Sequence, residues 1–598
     1  MTPTPYHRRL GDFTTDPRVL VISGVAAIVG TAGVIAGVIL LALIRLVTNV
    51  AYFGRFSLAD LKLADATLGP WSVLIPVAGA LVIGLMARYG SEKIRGHGIP
   101  EAIEAILLGR SRIDGKVAVL KPLSSAVAIG TGGPFGAEGP VIMTGGAIGS
   151  LIAQMLPVSD GERKTLLVAG AAAGMTTIFG TPLAAIMLAV ELLLFEWRPR
   201  SFIPVTVAAI VAAVERSLLH MPTPLFPFSG SADVTALGVA SWVAIGLLAG
   251  LLSGALTLLV YAWEDAFKKL PIHWMWWPAI GGVAVGLGGL AVPNALSVGY
   301  GNISSMLQGH MLPLAALELL GVKALIWAIA LGSGTSGGVL APLLIMGGAM
   351  GTALAQFLPG TDPGFWALLA MAATMGGTMR SPLTATFFAA ELTGDTHVLL
   401  PLIAACGTAH AVTVLLMRRS ILTEKVARRG HHLVREYRVD PFALTRAHEV
   451  MSSPVETVPA TMTLHGAAKL LTSATTGHPS FPVVTEDQRV IGIIHPPAVL
   501  RWRRAGKHRR TTLAELLEGT KVTVAYPDEY LEDVADRMSS DNVAHVPVIS
   551  REEARLVGYI SWRDLMRVRM KQEADERHRT ALLPLRRLFQ AAVGRRSP

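Results

Sequence analysis

One cysteine, Cys406, is all that 598 residues contain. An intrachain disulfide is therefore excluded, and no closely spaced Cys/His cluster or His-Glu-x-x-His string offers a metal site. Charge is also scarce, at 16% of residues against roughly 25% in an ordinary soluble domain, which all but excludes a purely cytosolic protein. The glycines carry no three-residue period, and that rules out collagen. In place of charge stands apolar sequence: 52% of residues are hydrophobic, mean hydropathy is +0.51, and 61 residues are glycine. Glycine at that level fits membrane helices whose backbones approach closely. The 52 basic and 42 acidic residues leave a net +10. In so apolar a chain this charge points to membrane lipid before nucleic acid, and no nucleic-acid partner is expected.

The first long apolar run, Val19 to Val47, exceeds a signal h-region and lacks a cleavage site, so it reads as a retained membrane helix. A dozen further apolar segments follow up to about 417, among them 71–88, 117–131, 139–157, 165–196 and 339–358. Several are shorter than the roughly 20 residues needed to cross a bilayer. Short segments broken by Gly and Pro are tolerated at membrane depth only inside protein or along an aqueous path, which points to transport. Basic clusters at Arg110 to Lys116, Arg198 to Arg200 and Arg418 to Arg419 place those loops and both termini in the cytoplasm by the positive-inside tendency. The expected compartment is a bacterial inner membrane.

An internal repeat orders the apolar part. Residues 140–157 (PVIMTGGAIGSLIAQMLP) match 342–359 (PLLIMGGAMGTALAQFLP) at 9 of 18 positions with an offset of 202. Residues 181–192 (TPLAAIMLAVEL) match 381–392 (SPLTATFFAAEL) at 6 of 12, with an offset of 200. Two related halves are the architecture in which transporters seat a substrate between repeats near the midplane. The same offset pairs Glu138 with Leu340, so one half keeps a carboxylate where the other is apolar. An acid at membrane depth costs about 2.5–3.5 kcal/mol on insertion scales, so its presence marks a path-lining group; the plainer reading is a water-exposed helix end.

Three strings, GHGIPE (96–101), GAEGP (136–140) and GGVLAP (337–342), each set glycine before a helical run and proline in its first turn. Free amides and the positive end of the helix dipole make each start suited to an anion. In this order the strings resemble the GSGIP, GREGP and GGIFAP motifs of the CLC family of chloride channels and chloride/proton exchangers. The resemblance covers residues 18 to 570.

It implies an all-α polytopic membrane domain of two inverted repeats with broken helices over 18–435, behind a cytosolic segment 1–17, in a homodimer that moves chloride. It also implies roles. Glu138 would be the gate. His97, Gly98, Ile99, Ala137, Gly139, Val339, Leu340 and Leu422 would line the anion path, with the amides of Val339 and Leu340 holding the central anion. The family's central serine falls at His97, the arginine of its second motif at Ala137 and its central tyrosine at Leu422, so two side-chain hydroxyls are missing. A histidine N–H could replace one of them. The inner proton-transfer acid falls at Leu192, which cannot relay a proton, and this leans toward a channel or a weakly coupled carrier. A chloride/proton antiporter with another proton route is the alternative. Glu191 and its repeat partner Glu391 read as structural.

Gly334-Thr-Ser-Gly-Gly also fits a rhomboid-like intramembrane serine protease, with Ser336 as nucleophile and His410 as base. The repeat argues against it, because Ser336 lies in a glycine turn whose counterpart serves no hydrolase. No enzyme activity is expected. A cation transporter would want several carboxylates along the path.

After about 435 the composition becomes that of a soluble α/β domain with its own repeat. Each unit, 447–502 and 513–569, resembles a CBS motif. In the second, GYISWRD places Ser561 and Asp564 where that motif contacts a nucleotide ribose; the first unit has GIIHPPA and lacks the acid. An adenine nucleotide at the CBS pair is the one cofactor in prospect, and no metal is. The runs Arg501 to Arg510 and Arg577 to Arg596, the latter in a basic tail 570–598, read as solvated faces.

Overall fold

The computed structural model describes residues 17–61, 63–66, 69–230, 234–360, 362–430, 442, 445–472 and 480–570. The N-terminal segment of the sequence reading, except Pro17, and its basic tail, except Met570, fall outside these residues. Two compact units divide the chain, Met1–Glu436 and Tyr437–Pro598.

The first unit is all helical. Its first eight helices are α1 (Arg18–Phe53), α2 (Leu74–Tyr89), α3 (Ile99–Leu107), α4 (Gly115–Gly130), α5 (Glu138–Gln154), α6 (Asp160–Phe179), α7 (Pro182–Leu188) and α8 (Pro199–Leu218). The next eight are α9 (Ala236–Lys268), α10 (Trp277–Ala291), α11 (Tyr300–Leu307), α12 (Pro313–Gly332), α13 (Leu340–Leu354), α14 (Pro363–Met379), α15 (Pro382–Thr393) and α16 (Leu399–Leu416), and α17 (Ile421–Arg428) closes the unit. The two sets of eight run through the same order of long and short helices, so the repeat extends well beyond the two matched strings. Among the described residues, seven helical stretches are long and apolar enough to cross a membrane. At 36 residues, α1 exceeds what a bilayer needs and must cross at a tilt.

The remaining helices are short because their sequences punctuate them. The apolar segment 165–196, read as continuous, is broken: α6 stops at Gly180 in the left-handed conformation, and Pro182 opens α7. A π-helical turn, Ala189–Leu194, then continues α7. Among the best-buried elements, α5, α13 and α14 lie mostly inside the unit, where short or broken helices are tolerated.

The second unit holds two small cores. In the first, β1 (Val458–Pro459) pairs parallel with β2 (Phe481–Val484), which pairs antiparallel with β3 (Val490–Ile494), Phe481 opposite Ile494. In the second, β4 (His545–Ile549) pairs antiparallel with β5 (Leu556–Ser561), His545 opposite Ser561. The alternating strands bury Val483 and Ile494 in one core, Val546, Val548 and Ile560 in the other. The stretch 521–524, near the start of the second repeat of this unit, forms no strand. Only Ala525 bridges to Val548, and Pro527, lacking an N–H, ends the pairing.

Candidate functional site

Helices α3, α5 and α13 converge by their N-termini. The loops ahead of them are stitched together: Gly136 and Gly338 exchange backbone hydrogen bonds of 3.1 and 2.8 Å, and the Gly337 N–H donates to the Gly96 carbonyl at 3.4 Å. At Gly139 a Cβ would lie 2.0 Å from the His97 carbonyl oxygen, and at Gly98 one would lie 2.6 Å from the Gly139 carbonyl oxygen. Only glycine allows α3 and α5 to start this close together.

Glu138 opens α5 and is fully buried. Its Oε1 accepts the Ala341 N–H at 2.9 Å, so the carboxylate occupies the amide end of α13. Its Oε2 is buried without a hydrogen-bond partner. An acid seated on the free amides of a helix start fills the place an anion would take. Ala137 and Val339 are the N-cap residues of α5 and α13, and both are fully buried, as are Leu340 and Ile99 at the first positions of α13 and α3. His97 is also buried, its Nδ1 unpartnered.

The Gly98 N–H is engaged in this conformation. It donates to the Glu101 carboxylate at 2.9 Å, because Glu101 at the third helical position reaches back as in a capping box. Leu422 lies buried in the first turn of α17, which packs on α3 through a 3.2 Å ion pair between Lys425 and Glu101. Leu192 is buried in the π-helical turn. The Ser336 hydroxyl, the nucleophile of the protease reading, lies 3.2 and 3.0 Å from the hydroxyls of Ser124 and Ser125, and the structure pairs it with those serines.

A cavity of about 860 Å³ lies against α3 and α17. Seven basic and four acidic side chains line it, and each of the four carboxylates already has a cation: Glu92 with Arg95, Glu101 with Lys425, Glu104 with Arg429 and Glu264 with Lys268. The surplus of positive charge favours small anions.

Two fully buried lysines were missed in the sequence. Lys121 Nζ donates to the Ile94 and Gly96 carbonyls at 2.8 and 2.7 Å. Lys323, displaced by the repeat offset of 202, donates to the Ala295 and Ser297 carbonyls at 3.0 and 3.2 Å. The signal was present: each is a lysine inside an apolar run, at matching repeat positions.

In the second unit, Asp564 Oδ2 accepts the Ser561 N–H at 2.9 Å and the Ser561 hydroxyl at 2.6 Å, at the start of helix 562–570. The two residues expected at a nucleotide are thus together. The His545 ring stacks on Tyr559, with centroids 5.6 Å apart, and the Tyr559 hydroxyl meets Ser480 at 3.0 Å. Burial holds both His495 and His545 below the usual histidine range.

A repeated membrane unit of broken helices, in which the amide end of α13 meets a buried carboxylate at the start of α5, defines a class of anion-transport proteins. The voltage-gated chloride channel family model matches residues 78–414, and the CBS domain model matches 447–504 and 516–571. The chain is 30% identical over 381 residues to the voltage-gated ClC-type chloride channel ClcB of Escherichia coli, covering 61% of this chain and 89% of that one. It shares its fold with a slow cyanobacterial Cl⁻/H⁺ antiporter, at TM-score 0.61 and 22% identity over 70% of this chain and 99% of that one. A eukaryotic CLC transporter covers 92% of this chain and 98% of its own, at TM-score 0.57 and 17% identity. The chain belongs to the CLC family of chloride channels and transporters and carries a C-terminal CBS pair.

Proposed function

We propose that the chain moves chloride through a path gated by Glu138, in a channel-like or weakly proton-coupled manner. The observation that carries this reading is the Glu138 carboxylate on the Ala341 amide. When that carboxylate leaves, the amides at the start of α13 are released for an anion, and burial makes neutralising the acid the natural trigger. His97, Gly98, Ile99, Ala137, Gly139, Val339, Leu340 and Leu422 line the route. With leucine at 192, the inner half of the family's proton path has no acid there. Both termini face the cytoplasm of a bacterial inner membrane, two copies form the working dimer, and the Ser561–Asp564 pair takes an adenine nucleotide.

Chloride flux from liposomes under an imposed pH gradient tests the reading. The expected result is downhill chloride flux that protons do not drive uphill. Stoichiometric uphill movement would establish the antiporter reading instead, and no chloride flux from the wild-type chain would refute both.

A further inference from the structure

We propose that Tyr300 receives the Glu138 carboxyl group when the gate opens, its hydroxyl hydrogen-bonding the released side chain and keeping it off the α13 amides. The inference rests on the reading of Glu138 as the gate. Glu138 Oε2 and the Tyr300 hydroxyl are both buried, and neither has a hydrogen-bond partner. Buried polar atoms are normally paired, so each of the two wants a partner that this conformation withholds.

Packing brings them to one place. Helices α5 and α6 lie antiparallel in close contact: a Cβ at Gly145 would fall 2.2 Å from the Gly170 carbonyl oxygen, and one at Gly174 would fall 2.8 Å from the Val141 carbonyl oxygen. The next turn of this pairing sets Glu138 beside Thr177 and Ile178, at the end of α6. Phe179 follows, and its ring meets that of Tyr300 edge-on with centroids 6.4 Å apart; Phe226 meets the same ring edge-on at 5.7 Å. Two aromatic neighbours thus fix the ring that carries the hydroxyl. The same end of α6 holds Arg216, a buried cation that donates to the Thr177 and Ile178 carbonyls and pairs with no carboxylate among the described residues. Tyr300 interacts electrostatically with both the Glu138 carboxylate and the Arg216 guanidinium. A hydroxyl near an unpaired cation suits a carboxyl group in either form, since it donates to a carboxyl oxygen and can also accept the O–H of the neutral acid. The seated carboxylate is held by the Ala341 N–H at 2.9 Å and makes no bond with Tyr300, so the hydroxyl favours the released state alone.

Chloride flux from liposomes across a pH series tests this with Tyr300→Phe, which keeps the ring and its packing. Flux that rises as the gate is neutralised should reach its half-maximum at a pH lower by about 0.5–1 unit, the worth of one hydrogen bond, so flux on the rising limb should fall about threefold to tenfold. The melting temperature should stay near wild type, because the hydroxyl has no partner to lose. In a Glu138→Ala background there is no carboxyl group to receive, and adding Tyr300→Phe should leave flux as it was. Should Tyr300→Phe fold poorly, Tyr300→Met fills the site without a donor and should give the same acid shift and the same silence in Glu138→Ala. A pH profile that overlies the wild type, or an equal loss of flux in the Glu138→Ala background, overturns the proposal. Glu138→Gln separates the two readings: a pH response retained there refutes the gate and the Tyr300 role with it, whereas a flat Glu138→Gln profile beside an unchanged Tyr300→Phe refutes only the role of Tyr300.

Discussion

Glu191 and Glu391 each hold the start of the other's neighbouring helix. Glu391 accepts the Leu183 and Ala184 N–H groups of α7 at 2.9 and 2.8 Å. Glu191, in the π-helical turn after α7, accepts the Leu383 and Thr384 N–H groups of α15 at 3.2 and 2.8 Å and the Thr384 hydroxyl at 2.6 Å. The exchange follows from the repeat: Thr181-Pro182 and Ser381-Pro382 open equivalent helices, and each acid meets the amides of the opposite half.

Removing either acid leaves two helix-start amides unpaired, and hydrogen bonds to a charged group are worth about 1.5–3 kcal/mol each. Glu191→Ala and Glu391→Ala should therefore each lower the melting temperature in detergent, Glu191→Ala by more because Thr384 adds a third bond. Gln in place of either acid should recover part of the loss. Specific flux of the folded fraction should stay near wild type, since neither residue lies at the α3–α5–α13 junction; a selective loss of flux without loss of stability would contradict the capping role.

Glu138→Gln keeps the shape of the side chain and removes its charge. Flux through this variant should be largely independent of pH where the wild type responds to it, and Glu138→Ala should conduct constitutively because nothing then covers the Ala341 amide. Liposome flux across a pH series reads both. A pH response retained in Glu138→Gln would place the gate elsewhere.

The sequence carried the parts of the site that the backbone builds. Glycine followed by proline marks a helix start whatever surrounds it, so α3, α5 and α13 were legible, as were the two halves through the matched strings. Side-chain reach was not. That Glu101 would turn back onto Gly98, and that Lys121 would cap two carbonyls upstream, depends on loops whose path only tertiary packing sets. The break inside 165–196 was written in Gly180 and Pro182, but hydropathy averages over such a pair.

The twin lysines offer a direct comparison of the two halves. Lys121→Met strands two buried carbonyls and Lys323→Met one buried and one half-buried, at about 1–3 kcal/mol for each buried one, so both variants should melt lower. Only Lys121 holds Gly96, one residue from His97, so Lys121→Met should also reduce chloride flux per folded molecule. Equal effects on flux would mean the two loops matter alike to the path.

The CBS unit should respond to acid through His495 and His545. Burial lowers both, and Arg501 lowers His495 further. With the folded values depressed, the unfolded chain takes up protons first as pH falls below the ordinary histidine value of about 6.5. Stability is then full above that value and is lost progressively beneath it. Thermal melts of the excised unit between pH 8 and pH 5 should show this decline, and the double variant His495→Gln/His545→Gln should flatten it. Adding ATP or AMP to the same melts checks the nucleotide proposal. A nucleotide held through Ser561 and Asp564 should raise the melting temperature of the wild type by mass action and leave Asp564→Ala unmoved. A wild-type unit whose melting temperature no adenine nucleotide shifts would remove that ligand from the reading.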